Sequence, residues 1–169
     1  MKNIKVILCA VLLMATGSVF AERMNGYGKT SWGMTPSEVV QAEQGRAHLV
    51  SPPTKYKNSL GMVAVDKIDI GSSLFKVVYQ FENNKLSQVL VQGLEDKNAG
   101  INRNTFATLD SLLTQKYGQP SFREDGRRVV WKQDGTSIEL SHLMIEGVIS
   151  LVTVAYMPEY QTKKQTENL

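Results

Sequence analysis

This sequence predicts an α+β fold in which two short helices pack on antiparallel β-meanders. Several segments alternate apolar and polar residues with a period of two. Tight-turn dipeptides separate many of them, namely Asn83-Asn84, Asp125-Gly126 and Asp134-Gly135. Two further segments carry helix signals and each is closed by a glycine. Runs of strands joined by tight turns pair antiparallel, so the predicted order is α-β-β-β-α-β-β-β-β.

The first helix is specified by the stretch Ser31-Trp32-Gly33-Met34-Thr35-Pro36-Ser37-Glu38-Val39-Val40. Thr35 is a good N-cap, Pro36 suits the first helical position, and Glu38 falls where a Thr-x-x-Glu capping box needs it. Met34 and Val39 stand at the two positions of a hydrophobic staple. The helix is predicted over residues 36–44, with Gly45 just beyond its end. Residues 46–61 contain Pro52-Pro53 and few periodic apolar positions, which predicts a loop of about sixteen residues, long for a compact domain.

From Met62 the period becomes two. Val63 to Ile70 reads as a strand, and Ser73 to Glu82 sets Phe75, Val77, Tyr79 and Phe81 on one face. Asn83-Asn84 turns the chain back into Lys85 to Gln92, because Asn tolerates positive φ. Gly93 to Arg103 is a polar connection. Thr105 to Tyr117 shows helical spacing through Phe106, Leu109 and Leu113, then stops at Gly118 and Pro120. Beyond Pro120 the Asp-Gly pairs separate three strands, Ser121–Glu124, Arg127–Gln133 and Thr136–Leu143, and Glu146-Gly147 leads into Val148–Met157. Residues 32–93 and 104–157 share this outline and are two possible halves of one domain over 22–160, although no residue-level repeat links them. A polar tail over 161–169 is expected to fray.

The first 21 residues are set apart by composition. Lys2 and Lys5 precede an apolar core from Val6 to Ala15, and Val19 and Ala21 supply the small residues of a cleavage site. That pattern predicts a secretory signal peptide cut after Ala21, and hence a periplasmic or secreted protein. The apolar run falls short of the about 20 residues that span a bilayer. No later segment approaches that length, so a soluble mature protein with no membrane span is expected. Cys9, the only cysteine of the chain, lies inside the leader, which leaves the mature part without disulfide, thiol nucleophile or thiolate ligand. Leu8 stands where a lipidation motif wants a small residue. Removing the leader takes away two lysines and no acids, leaving 17 basic and 16 acidic residues. Such a balance offers no polyanion-binding surface, so no nucleic-acid partner is expected.

The arrangements that carry chemistry are missing from the sequence. His48 and His142 have no neighbours at metal-ligand spacing, and Glu139 and His142 fall on opposite faces of a strand. Asp66 and Asp69 are separated in the same way, while Asp125 and Asp134 read as turn residues. No Gly-x-Ser-x-Gly elbow and no phosphate-cradling glycine loop occurs. Active sites collect titratable groups, so the expectation is a non-enzyme with no cofactor and no metal.

Three features point to binding. Trp32 is either a ring folded over the sheet beside the helix start or an exposed interface anchor. Arg123, Arg127, Arg128 and Lys132 cluster around the Asp125-Gly126 hairpin, either as edge charges that discourage strand pairing or as a patch for an acidic partner. Trp131 is placed for core packing.

The segment Gly33-Met34-Thr35-Pro36-Ser37-Glu38-Val39 resembles the Gly-Met-Thr-x-x-Gln/Glu-Val helix start of the small SmpA/OmlA-type envelope proteins, which include the BamE subunit of the outer-membrane barrel assembly machinery. Lys116-Tyr117-Gly118-Gln119-Pro120 is similar to the Leu-Gly-x-Pro helix exit of such domains. The resemblance implies a fold like that of β-lactamase-inhibitor protein, and a binding or scaffold role. In that family the exit closes a helix pair before the sheet, whereas here strands intervene, and the family's lipid-anchoring cysteine has no counterpart.

The leading expectation is therefore an exported, soluble, non-catalytic module that contacts another envelope or secreted protein, as inhibitor, adaptor or assembly factor. Its surface would be the Arg-rich hairpin, the 46–61 segment or an exposed sheet face. A small-ligand or lipid carrier is the alternative, with a cavity between helices and sheet lined by Phe75, Val77, Tyr79 and Phe81. A hydrolase of envelope polymers, the third reading, needs a cleft with clustered carboxylates or histidines.

Overall fold

A computed structural model describes residues 26–161 of the chain. The expected leader with its cleavage after Ala21, and all but the first residue of the expected tail, lie outside the described residues. A two-stranded ribbon, β1 (Gly26–Tyr27) and β2 (Thr30–Ser31), leads into helix α1 (Pro36–Ala42). Four strands follow: β3 (His48–Tyr56), β4 (Ser59–Ile70), β5 (Ser73–Glu82) and β6 (Lys85–Gly93). Helix α2 (Ala99–Tyr117) then precedes β7 (Phe122–Glu124), β8 (Arg128–Gln133), β9 (Thr136–Ile145) and β10 (Ile149–Pro158).

The balanced α+β class is corrected to a mostly β architecture: strands hold 54% of the described residues and helices 21%. Strands β3 to β10 form one continuous antiparallel sheet in the order β3-β4-β5-β6-β10-β9-β8-β7. The last strand of each four-strand run sits at the centre, where Val91 faces Val154 and Leu90 faces Ala155. The expected loop over 46–61 is instead β3, a turn and the start of β4. Two consecutive prolines are compatible with a strand here because β3 is a sheet edge. Its ladder with β4 breaks between Leu49 and Thr54, so the missing N–H groups of Pro52 and Pro53 face no partner.

Helix α2 is also longer than expected, at 19 residues. Asn98 caps it by accepting from the N–H groups of Gly100 and Ile101, both at 3.0 Å. A glycine in this first turn hides the start of the helix in the sequence. At α1 the capping box is complete. The Thr35 N–H donates to Glu38 Oε2 at 2.7 Å, and the Glu38 N–H returns to Thr35 Oγ1 at 3.4 Å. The Asn83-Asn84 turn holds φ of 51° and 62°, and Asp134-Gly135 holds 46° and 84°, which suits the twist of two-residue hairpins.

Among the described residues, both helices and the β1–β2 ribbon cover one face of the sheet. Helix α1 packs over β3 and β4, α2 over β8 to β10, and the β1–β2 ribbon against β10 between them. A single cross-strand row shows why: Val65, Val77, Val91, Val154, Leu140 and Val129 stand side by side and are all buried. Phe106, Leu109 and Leu113 of α2 and Val39 of α1 close over this layer. Each such side chain contributes roughly 1.5–3 kcal/mol by leaving water. Phe75, Val77, Tyr79 and Phe81, the expected lining of a carrier cavity, are core residues packed against this cover. Trp131 is fully buried there and donates its indole N–H to the Gly118 carbonyl at 3.1 Å. Among the described residues no helix is long and apolar enough to cross a membrane.

Candidate functional site

Among the described residues the opposite face of the sheet carries no helix, and a hollow of about 540 Å³ opens there. Its origin is legible in two neighbouring rows. One runs Val78, Leu90, Ala155, Glu139, Val130 and Phe122 across six strands. The next runs Gln92, Thr153, Ser141, Arg128 and Glu124. Side chains are short at the centre, at Ala155, Thr153 and Ser141, and longer at the margin, at Gln88, Gln92 and Leu151. The β3–β4 turn bends over one side and adds Tyr56 and Lys57 to the wall. Leu90, Val130 and Ser137 are only 3–9% exposed despite lying on the uncovered face, so the hollow has depth.

The electrostatics of the hollow are muted. Arg128 donates to Glu139 Oε2 at 2.7 Å, and its guanidinium also lies 5.4 Å over the Phe122 ring. Among the described residues Glu139 is the one carboxylate lining the hollow, and Lys57 is the other charged group of the wall. Polar amides and hydroxyls supply the remaining hydrogen-bonding capacity. This set can recognise a shape and a few polar groups; a paired carboxylate is poorly placed for general acid–base work.

The residues singled out in the sequence are scattered by the fold. Of the basic cluster, only Arg128 lines the hollow. Arg123 turns to the covered face and grips Asp110 of α2 through both guanidinium nitrogens, at 2.5 and 3.0 Å. That hydrogen-bonded pairing raises Arg123 above its ordinary value. Arg127 pairs with Glu124 at 3.1 Å and Lys132 with Glu159 at 3.3 Å. All four cations thus have acidic partners, at solvent-exposed sites where such pairs contribute little stability. Trp32 is half-buried against the core, and its indole N–H donates to Thr136 Oγ1 at 3.2 Å. The hollow itself was not foreseen residue by residue, because its floor joins β6 to β10 across the chain. The alternating burial of β10 does mark Leu151, Thr153, Ala155 and Met157 as one outward face, a signal available in the sequence.

Two polar clusters lie on the covered side. His142 Nε2 is 2.9 Å from Ser150 Oγ, and the Asn102 amide donates to the Ser150 carbonyl and, at 3.0 Å, to the Glu95 carbonyl. All three side chains are buried, and no carboxylate hydrogen-bonds His142 among the described residues. The cluster fastens the first turns of α2 to β10 and lacks the orienting acid of a nucleophile–base pair. The second cluster surrounds the buried Glu43, which accepts from the Tyr79 hydroxyl at 2.7 Å and pairs with Arg46. Burial, reinforced by the Glu43 charge, pushes the Tyr27 hydroxyl up to about 12. Tyr79 and Tyr156 are raised further, again chiefly by burial. His48 and Asp66 approach to 3.7 Å at the surface. No group of three or more metal-ligating side chains occurs among the described residues.

No curated protein and no solved structure gives a significant match to the chain. The family model of the TP0088 domain matches it over residues 25–168. That span takes in the whole eight-stranded sheet and both helices, and the chain belongs to the TP0088 domain family.

Proposed function

We propose that this is an exported, non-catalytic binding module whose uncovered sheet face receives a polypeptide partner, another envelope or secreted protein. The observation that carries this reading is the hollow of about 540 Å³ with nearly buried Leu90 and Val130 in its floor. Its floor is a hydrogen-bonded ladder, so it is rigid before any partner arrives, which lowers the ordering cost of association. Its lining mixes apolar side chains with Gln, Ser and Thr, the composition of a non-obligate protein interface and not that of an enclosed lipid pocket. The resemblance of the Gly33–Val39 helix start to the SmpA/OmlA-type proteins implies the same kind of role.

Site-specific photo-crosslinking in the exporting cell tests it. A photoreactive residue at Thr153 or Ser141 is expected to capture one discrete polypeptide species. The same residue at Leu112, on the exposed side of α2, is expected to capture none. Absence of a product from the hollow, or the same product from Leu112, overturns the reading.

A further inference from the structure

At one end of the sheet the β9–β10 hairpin projects past its neighbours. Leu143, Met144, Ile145 and Val148 around its tip are 52–70% exposed. The tip is a tight turn, closed by the Val148 N–H on the Ile145 carbonyl at 3.0 Å, with Gly147 at φ 71°. Leu143 and Ile145 point to one face of the hairpin and Met144 to the other. This apolar surface therefore wraps around a protrusion and forms no flat patch. Glu146 is the one charged residue of the tip.

Behind the tip, a hollow of about 300 Å³ separates it from the start of α2, and Lys97 and Arg103 line it. Both are exposed, and neither is ion-paired among the described residues, unlike the four cations around β7 and β8. Glu146 of the tip lines the same hollow without forming an ion pair with either cation, and nearby Glu95 accepts from the N–H groups of Lys97 and Asn98, at 2.9 and 2.8 Å.

We propose that the β9–β10 tip is a peripheral membrane contact that inserts Met144, Ile145 and Val148 into the interface of an anionic phospholipid surface, with Lys97 and Arg103 set against the headgroups. A convex apolar protrusion exposed on both faces suits a medium that closes around it; a protein partner would have to supply a matching socket. Unpaired cations behind the apolar tip are complementary to anionic headgroups, and that combination is what reversible interfacial binding requires. Leu143 also lines the larger hollow, but Met144, Ile145, Val148, Lys97 and Arg103 do not, so this contact and the proposed polypeptide contact can each fail alone.

Vesicle co-sedimentation tests it, using the chain from Glu22 onward, which contains the whole described fold. Vesicles of phosphatidylcholine alone are compared with vesicles of equal parts phosphatidylcholine and phosphatidylglycerol. Binding is expected to the anionic vesicles, with little to the zwitterionic ones, and to weaken with added salt. Met144→Asp with Val148→Asp is expected to abolish it. Lys97→Glu with Arg103→Glu is expected to weaken it about fivefold or more per cation. Both pairs are exposed, so unchanged circular dichroism and thermal midpoint are expected and are checked first. No binding to anionic vesicles, equal binding to both kinds, or binding that survives the tip variant overturns the proposal. So does a lipid-free dimer that the tip variant dissolves, which would assign the surface to a second copy of the chain.

Discussion

The Tyr79 hydroxyl donates to Glu43 Oε1 at 2.7 Å, and this bond joins the middle of β5 to the C-terminal cap of α1. Glu43 is 1% exposed, whereas Arg46, its other partner, is 63% exposed. Glu43→Ala therefore leaves the Tyr79 hydroxyl buried with its acceptor gone, at a cost of about 1–3 kcal/mol beyond the lost contacts. Tyr79→Phe removes the donor but leaves Glu43 with Arg46, so about 1 kcal/mol is expected. The double substitution should cost less than the two singles added together, because the orphaned hydroxyl is gone. Urea unfolding of the four proteins measures the coupling, and strict additivity would show that the bond contributes nothing specific.

The same cluster predicts an alkaline transition. Tyr27, Tyr79 and Tyr156 are all raised from the ordinary value of 10.0, chiefly by burial. The unfolded chain releases these protons above about pH 10 while the fold retains them. Their contribution to stability is thus fully present below pH 10 and is lost as the pH rises beyond it. Tyrosinate absorbance should show these hydroxyls titrating late and together with loss of circular dichroism. Smooth titration of every tyrosine near its ordinary value in the folded protein would contradict their burial.

At acid pH the sign reverses at the start of α1. The backbone N–H and the hydroxyl of Thr35 hold the Glu38 carboxyl below its ordinary value of 4.5. A group lowered on folding stabilises the fold above its unfolded value and loses that contribution as the pH falls through its folded one. Thr35→Ala removes a capping acceptor and should cost about 1 kcal/mol at neutral pH. In Glu38→Gln the part of the acid-induced decline owed to this carboxyl should vanish. Unfolding midpoints measured for the three proteins between neutral and acid pH check both expectations.

Features encoded by neighbouring residues were legible in the sequence, and features that depend on distant pairing were not. The capping box, the Asn83-Asn84 and Asp134-Gly135 turns and the burial of Trp131 each rest on a few adjacent residues, and they appear in the fold. Pro52-Pro53 suggested a loop because proline opposes a central strand, and nothing local announced that β3 would be an edge. The basic residues around Asp125-Gly126 were visible as a cluster. Three of their acidic partners, Asp110, Glu139 and Glu159, come from other elements and neutralise much of the patch. The hollow depends on β6 pairing with β10, strands separated by all of α2, so Leu90 and Ala155 could not be placed side by side from sequence.

That pairing gives the sharpest test of the hollow. Ala155 lies between Leu90 and Glu139 on the uncovered face, and its methyl leaves the centre of the floor open. Ala155→Trp fills this space with an aromatic ring while leaving the covered core row through Val154 untouched. Substitutions on a partly exposed strand face generally change stability by about 0.5 kcal/mol or less, so the thermal midpoint should barely move. Crosslinking from Ser141 to the proposed polypeptide partner, in contrast, should fall several-fold. Undiminished crosslinking in a protein of unchanged stability would place the partner elsewhere, since a ring at this position occupies the volume a bound segment needs.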